Sequence, residues 1–140
     1  MGWYPVKTLV NIMNYVKEKY GKGDYDICYQ IGKKAAEDAF KGMFKIFLEW
    51  GKPYTVISKA PLLWRMIYDC GNIELIIAKE NYVKGRIIDF EDTHKCLCVR
   101  LKGYFEKALE LSGAKNVKVE EVKCKTWGDA FCEYEIFWEM

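Results

Sequence analysis

Apolar residues return at helical spacing through the first half of the chain. Val6, Leu9, Val10, Met13 and Val16 fall on one face of a segment that Gly21-Lys22-Gly23 brings to an end. Ile27, Cys28, Ile31, Ala35, Ala39, Met43, Ile46, Phe47 and Trp50 keep the same period. They predict a long second helix, loosened at Gly32 and Gly42 and broken by Gly51-Lys52-Pro53. Ser58 stands where it can cap a third, short helix that contains Pro61 and runs to Tyr68. Beyond the Gly71-Asn72 turn signal, residues 73–78 and 82–90 are rich in Ile and Val on either side of Glu80-Asn81, which predicts a hairpin. Asp92 or Thr93 can cap a fourth helix with the stripe Leu97, Cys98, Leu101, Phe105, Ala108 and Leu111, closed by Ser112-Gly113. Residues 117–125 and 131–138 alternate apolar and polar positions around Trp127-Gly128-Asp129 and predict a second hairpin. The order α-α-α-β-β-α-β-β, with tight turns between strands, implies an α+β fold: an antiparallel sheet made from two hairpins with helices packed on it.

With 140 residues and no repeat or linker, the chain is expected to form a single domain over residues 1–140. Hydrophobic residues make up 51% and charged residues 30%, which excludes a disordered chain. The formal charge of +2 lacks the basic bias of a nucleic-acid binder. No apolar run approaches the ~20 residues of a membrane span, so no membrane partner is expected. Met1-Gly2-Trp3-Tyr4-Pro5 has neither a secretion leader nor an acylation signal, and a cytoplasmic location is the expectation.

Six cysteines in such a chain suggest metal ligands, redox groups or buried apolar residues more than a disulfide framework. Cys124 and Cys132 lie symmetrically about Gly128, so a turn centred there places them opposite each other on one sheet face. Cys98, on the core stripe of the preceding helix, is within reach of both. Zinc favours tetrahedral sulfur and nitrogen ligands and accepts a carboxylate, for which Glu120 and Glu121 are candidates. Val117 and Val119 have the opposite alternation phase to Val122 and Cys124, so a β-bulge is required near Glu120-Glu121. Two further readings stay open: buried apolar cysteines, or a redox disulfide between Cys124 and Cys132. Cys28 reads as core and Cys96 as exposed, while Cys70 has no assignment.

The run Cys98-Val99-Arg100-Leu101-Lys102-Gly103-Tyr104, with Glu121-Val122-Lys123-Cys124 and Gly128-Asp129-Ala130-Phe131-Cys132, resembles the end of the 4-vinyl-reductase domain. The resemblance covers residues 98 to 132. It implies zinc bound by Cys98, Glu121, Cys124 and Cys132, and on this ground alone Glu121 is preferred to Glu120. It also implies a ligand-binding or sensor module for a small hydrophobic or aromatic molecule, often dimeric, related in fold to aromatic-effector sensors and vesicle-tethering subunits.

Trp50, Tyr54, Trp64, Met66 and Tyr68 could line a pocket for such a molecule, although core packing explains them equally. The family's histidine and tryptophan contacts to phenolic effectors have no counterparts that align with this chain. His94, the only histidine, is expected at a helix start in water. It lies outside the core stripe, which argues against a haem ligand, and its i, i+2 spacing from Cys96 points the two apart, which argues against a catalytic pair. No nicotinamide, flavin or phosphate-loop fingerprint appears, so a binding module and not an enzyme is expected despite the family's name. The alternatives are a scaffold subunit acting through a homodimer surface and a Cys124/Cys132 thiol redox sensor.

Overall fold

The computed structural model describes residues 6–21, 24–42, 45, 52–68, 70–90 and 94–139. The elements in order are α1 (Val6–Tyr20), α2 (Asp26–Lys41), α3 (Pro53–Ser58), α4 (Ala60–Ile67), β1 (Asn72–Lys79), β2 (Tyr82–Ile88), α5 (Lys95–Leu111), β3 (Lys115–Lys123), a 3-10 turn (Lys125–Trp127) and β4 (Cys132–Glu139). This is the α+β architecture that the periodicity implies. The second helix stops at Lys41 with Gly42 as its C-cap. Its expected continuation to Trp50 falls almost wholly on residues outside those described.

One expected boundary is reversed. The sequence reads Pro53 as a breaker and Ser58 as a cap, yet Pro53 opens α3 and Ser58 closes it. A proline in the first turn loses nothing, because the N–H it lacks has no intrahelical acceptor there. The Ser58 hydroxyl donates back to the Thr55 carbonyl at 2.8 Å, a bond that belongs to the end of α3 and not to a cap of α4.

The four strands are ordered β1-β2-β4-β3, with every neighbouring pair antiparallel. The two hairpins therefore join edge to edge through β2 and β4, where Val83 pairs with Ile136 and Ile87 with Cys132. A register shift between Glu121 and Lys123 supplies the expected bulge. Val119 and Cys124 can then both be buried despite their opposite phase, while Val122 is exposed.

Helix α5 is the centre of the molecule. Leu97, Cys98, Leu101 and Leu109 pack with Val83, Ile87, Tyr134 and Ile136 of the sheet and with Ile57 and Trp64 of α3 and α4. On its other side α2 crosses it closely. A Cβ on Gly32 would lie 1.9 Å from the Arg100 carbonyl oxygen, and one on Gly103 would lie 2.2 Å from that of Tyr29. Glycine is required at both positions because backbone occupies the space of a side chain.

Cys96, expected to be exposed, is fully buried and joined by a disulfide to Cys28, which ties α2 to the start of α5. Spacing could not suggest this pair, since the two cysteines are 68 positions apart and only the helix crossing brings them together.

His94 is half-buried and not in open water. Its Nδ1 accepts from the Cys96 backbone N–H at 3.1 Å as the N-cap of α5, and its Nε2 meets Asn14 Nδ2 at 3.0 Å. Burial, and then the charge of Lys17, pulls its pKa below the ordinary value. A histidine with a depressed folded pKa contributes stability that is complete above the unfolded pKa of 6.5 and is lost as pH falls through that value. Protonation would also remove the lone pair that caps α5. The melting temperature is accordingly expected to fall between about pH 7 and pH 5, and His94→Asn, which can cap but cannot titrate, should fall less steeply over that window.

Candidate metal centre and apolar cavity

Three cysteine sulfurs meet between α5 and the end of the β3–β4 hairpin. Cys98 Sγ lies 3.7 Å from Cys124 Sγ and 3.9 Å from Cys132 Sγ, and the latter two are 3.9 Å apart. All three residues are buried. Cys98 comes from the first turns of α5, Cys132 opens β4, and Cys124 is held just beyond β3 by a turn of its own. The Cys124 N–H donates to Asp129 Oδ2 at 2.9 Å, and the Trp127 and Asp129 N–H groups return to the Cys124 carbonyl. Gly128 supplies the left-handed residue of this turn, at φ 97°. The Lys125 N–H points at Cys132 Sγ at 3.4 Å, and Thr126 Oγ1 lies 2.7 Å from Cys124 Sγ.

The two acids behave differently. Glu120 faces solvent and pairs with Lys118 at 2.8 Å. Glu121 turns inward beside the thiols of Cys98 and Cys124 and the Tyr134 hydroxyl, and burial raises its pKa. Its Oε2 is buried with no hydrogen-bond partner, although the Tyr134 hydroxyl, which donates to the Cys98 carbonyl at 2.9 Å, is nearby. Among the thiols, the hydrogen bond with Cys98 holds Cys132 down to about 6. The same bond raises Cys98 far above the ordinary range, with burial adding to the rise. Burial also pushes Cys124 up.

This donor set suits a zinc ion. A tetrahedral centre with zinc–sulfur bonds of ~2.3 Å needs its sulfurs ~3.8 Å apart, and the three separations are 3.7, 3.9 and 3.9 Å. A disulfide between Cys124 and Cys132 would need sulfurs at ~2.05 Å, and neither is bonded. The unpartnered Glu121 oxygen is of the right kind for a fourth ligand, since a buried carboxylate oxygen without a partner is costly.

The same helix bounds an apolar cavity. It offers about 60 Å³ to the centres of water-sized molecules, and its wall includes Phe40, Val56, Ile57, Trp64, Tyr68, Leu101, Tyr104 and Phe105. A single water needs only ~10–15 Å³ on that measure. Of the five residues expected to form a pocket, Trp64 and Tyr68 line it. Tyr54 and Met66 are exposed and do not, while Trp50 is outside the described residues. The contributors that sequence reasoning missed include Phe40 of α2, Val56 and Ile57 of α3, and Arg100 and Tyr104 of α5. The available signal is the α5 stripe, which places Leu101 and Phe105 on the core face.

His94 is committed to the α5 cap, and the Cys96 sulfur to its disulfide, so they form no nucleophile–base pair. No helix among the described residues is long and apolar enough to cross a membrane.

No curated protein matches the chain in sequence. Among solved structures, the phenol-responsive sensory domain of the transcription activator PoxR, bound to phenol, superposes with TM-score 0.73 at 10% identity, over 98% of this chain and 76% of that one. An H-NOX domain from Shewanella oneidensis in the Fe(II)CO state gives 0.74 at 12%, over 97% and 76%. A trafficking protein particle complex subunit 3 from Naegleria fowleri, covalently bound to palmitic acid, gives 0.63 at 16%, over 96% and 95%. At such identities these likenesses establish a shared fold; the descriptions are of sensory domains and a complex subunit, and none names a catalytic activity. The 4-vinyl-reductase (4VR) domain matches residues 88–137, so the segment that brings the three thiols together is the part of the chain that carries that family's pattern.

Proposed function

We propose that the chain is a small-molecule sensor or binding module in which zinc, held by Cys98, Glu121, Cys124 and Cys132, fixes α5 as one wall of the apolar cavity. The observation that carries this reading is that α5 belongs to both features: it presents Cys98 to the thiol cluster, and Arg100, Leu101, Tyr104 and Phe105 to the cavity. With four protein ligands the ion would be a structural cross-link, with no open position for chemistry. PoxR is described with phenol and the complex subunit with palmitic acid, which supports a hydrophobic or aromatic ligand here. Cytoplasmic location and a homodimer belong to the same proposal. Ile12, Tyr15 and Tyr20 of α1 are exposed and would suit a partner copy.

Elemental analysis of protein purified without chelator tests the centre. About one zinc per chain, lost in Cys124→Ser and Cys132→Ser, is the expected result. Freshly reduced protein that contains no metal would remove the centre from the proposal.

A second reading is favoured by the Cys28–Cys96 bond. It makes the chain redox-responsive, through this pair and not through Cys124 and Cys132. Closing a loop of this length stabilises by about 4 kcal/mol in the chain-entropy picture. Reduction is therefore expected to lower the melting temperature of the parent and to leave a Cys28→Ala/Cys96→Ala variant unchanged. Thiol titration in denaturant should find four free thiols before reduction and six after it. Six thiols in protein taken directly from the cytoplasm would confine the bond to oxidising conditions.

A further inference from the structure

The cavity wall is apolar except where Tyr68, Arg100 and Tyr104 meet it. Arg100 Nη1 donates to the Tyr68 hydroxyl at 2.7 Å. Its Nε is buried without a partner, and so is the Tyr104 hydroxyl one turn further along α5. None of the ion pairs among the described residues includes Arg100. A guanidinium drawn out of water without a counter-ion is costly, and a protein keeps one where something else supplies the negative charge. Two unsatisfied groups able to donate, one of them cationic, match the two oxygens of a carboxylate. A phosphate would bring more acceptors than these groups can satisfy.

We infer that the cavity takes a small carboxylic acid with an apolar body, its carboxylate held by Arg100 Nε and the Tyr104 hydroxyl. This rests on the reading of the chain as a ligand-binding module. The apolar body has somewhere to go. A second apolar space shares Ile57, Ala60, Ile73 and Phe105 with the first and continues toward Val83 and Ile136 of the sheet. A ring or a short acyl chain would lie along it while the acid group stays at α5.

Calorimetric titration of the full chain with matched pairs tests this: benzoate against benzyl alcohol, and octanoate against octanol. At least one carboxylate is expected to bind about tenfold or more tightly than its alcohol, as a charge-assisted bond in a partly buried site should provide. Arg100→Met should abolish that preference while the alcohol still binds, and Arg100→Lys should retain part of it. Tyr104→Phe should weaken the acid several-fold and the alcohol little. If Arg100→Met does not fold, the lysine and phenylalanine variants carry the test. Equal binding of acid and alcohol, or a preference that survives Arg100→Met, overturns the carboxylate assignment and leaves the pocket standing. If no probe binds to protein with full metal content and an unchanged melting temperature, both the assignment and the ligand-binding reading fail.

Discussion

Removing the metal is expected to lower the melting temperature of this chain by about 15 °C, which for a domain of this size corresponds to about 4 kcal/mol. The size of the effect follows from what the ion would hold. Cys98 is on α5 while Cys124 and Cys132 are at the end of the β3–β4 hairpin, so the centre joins the middle helix to two strands in a region that is otherwise a turn. Without a cation, three buried sulfurs and a buried, unpartnered carboxylate oxygen face one another with nothing to balance them. Structural zinc sites in isolated finger peptides are worth ~10–16 kcal/mol because the peptide has no other core. This chain has a core that includes Val83, Leu97, Leu101 and Tyr134, so it should survive in weakened form and not unfold outright. Thermal melts with and without chelator, on the parent and on Cys132→Ser, provide the measurement. Chelator should shift the parent and leave the variant where it is. Cys70→Ser, at a half-buried cysteine outside the cluster, should melt close to the parent. A parent that melts identically in chelator would show that the thiols stabilise the fold without an ion.

What could be read in advance follows a physical division. The α5 stripe and the alternation in both hairpins are legible because one buried face imposes a period on the residues that form it. The thiol cluster is legible for a related reason: Cys124 and Cys132 are symmetric about a turn residue, and local symmetry in a hairpin becomes proximity. Even the bulge can be deduced, because Val119 and Cys124 cannot both face inward without it. The cavity is not legible in the same way. Periodicity marks a residue as buried but does not say whether the space beside it is filled, so Tyr54 and Met66 look as suitable in sequence as Trp64 and Tyr68. Pro53 is ambiguous because the same residue stops one helix and starts another. The Cys28–Cys96 bond, like the unpaired edge of Arg100, depends on how α2, α4 and α5 pack, and no local pattern encodes that.

Gly32 and Gly103 are the residues most misleading in sequence, and Gly103→Ala is expected to destabilise the chain by about 3 kcal/mol or more. In an isolated helix the substitution would help, since alanine is preferred to glycine by ~1 kcal/mol. Here the added methyl would sit 2.2 Å from the Tyr29 carbonyl oxygen, and on Gly32 it would sit 1.9 Å from that of Arg100. These neighbours are backbone atoms, so no rotamer change relieves the overlap and the two helices must separate. The Cys28–Cys96 bond resists that separation at one end of the crossing, and the packing of Leu101 and Leu109 on the sheet resists any compensating shift of α5. Gly85→Ala is the comparison to make, because a Cβ there would meet its nearest neighbour at 3.7 Å, an ordinary contact, and it should cost little. Chemical denaturation of the parent and these variants decides between propensity and packing; a Gly103→Ala protein as stable as the parent would mean that the crossing can relax. If it cannot, the displacement must be taken up along α5, which carries Cys98 on one side and Arg100 and Tyr104 on another. Gly103→Ala should then also lower zinc retention and weaken carboxylate binding, although the residue itself touches neither ligand.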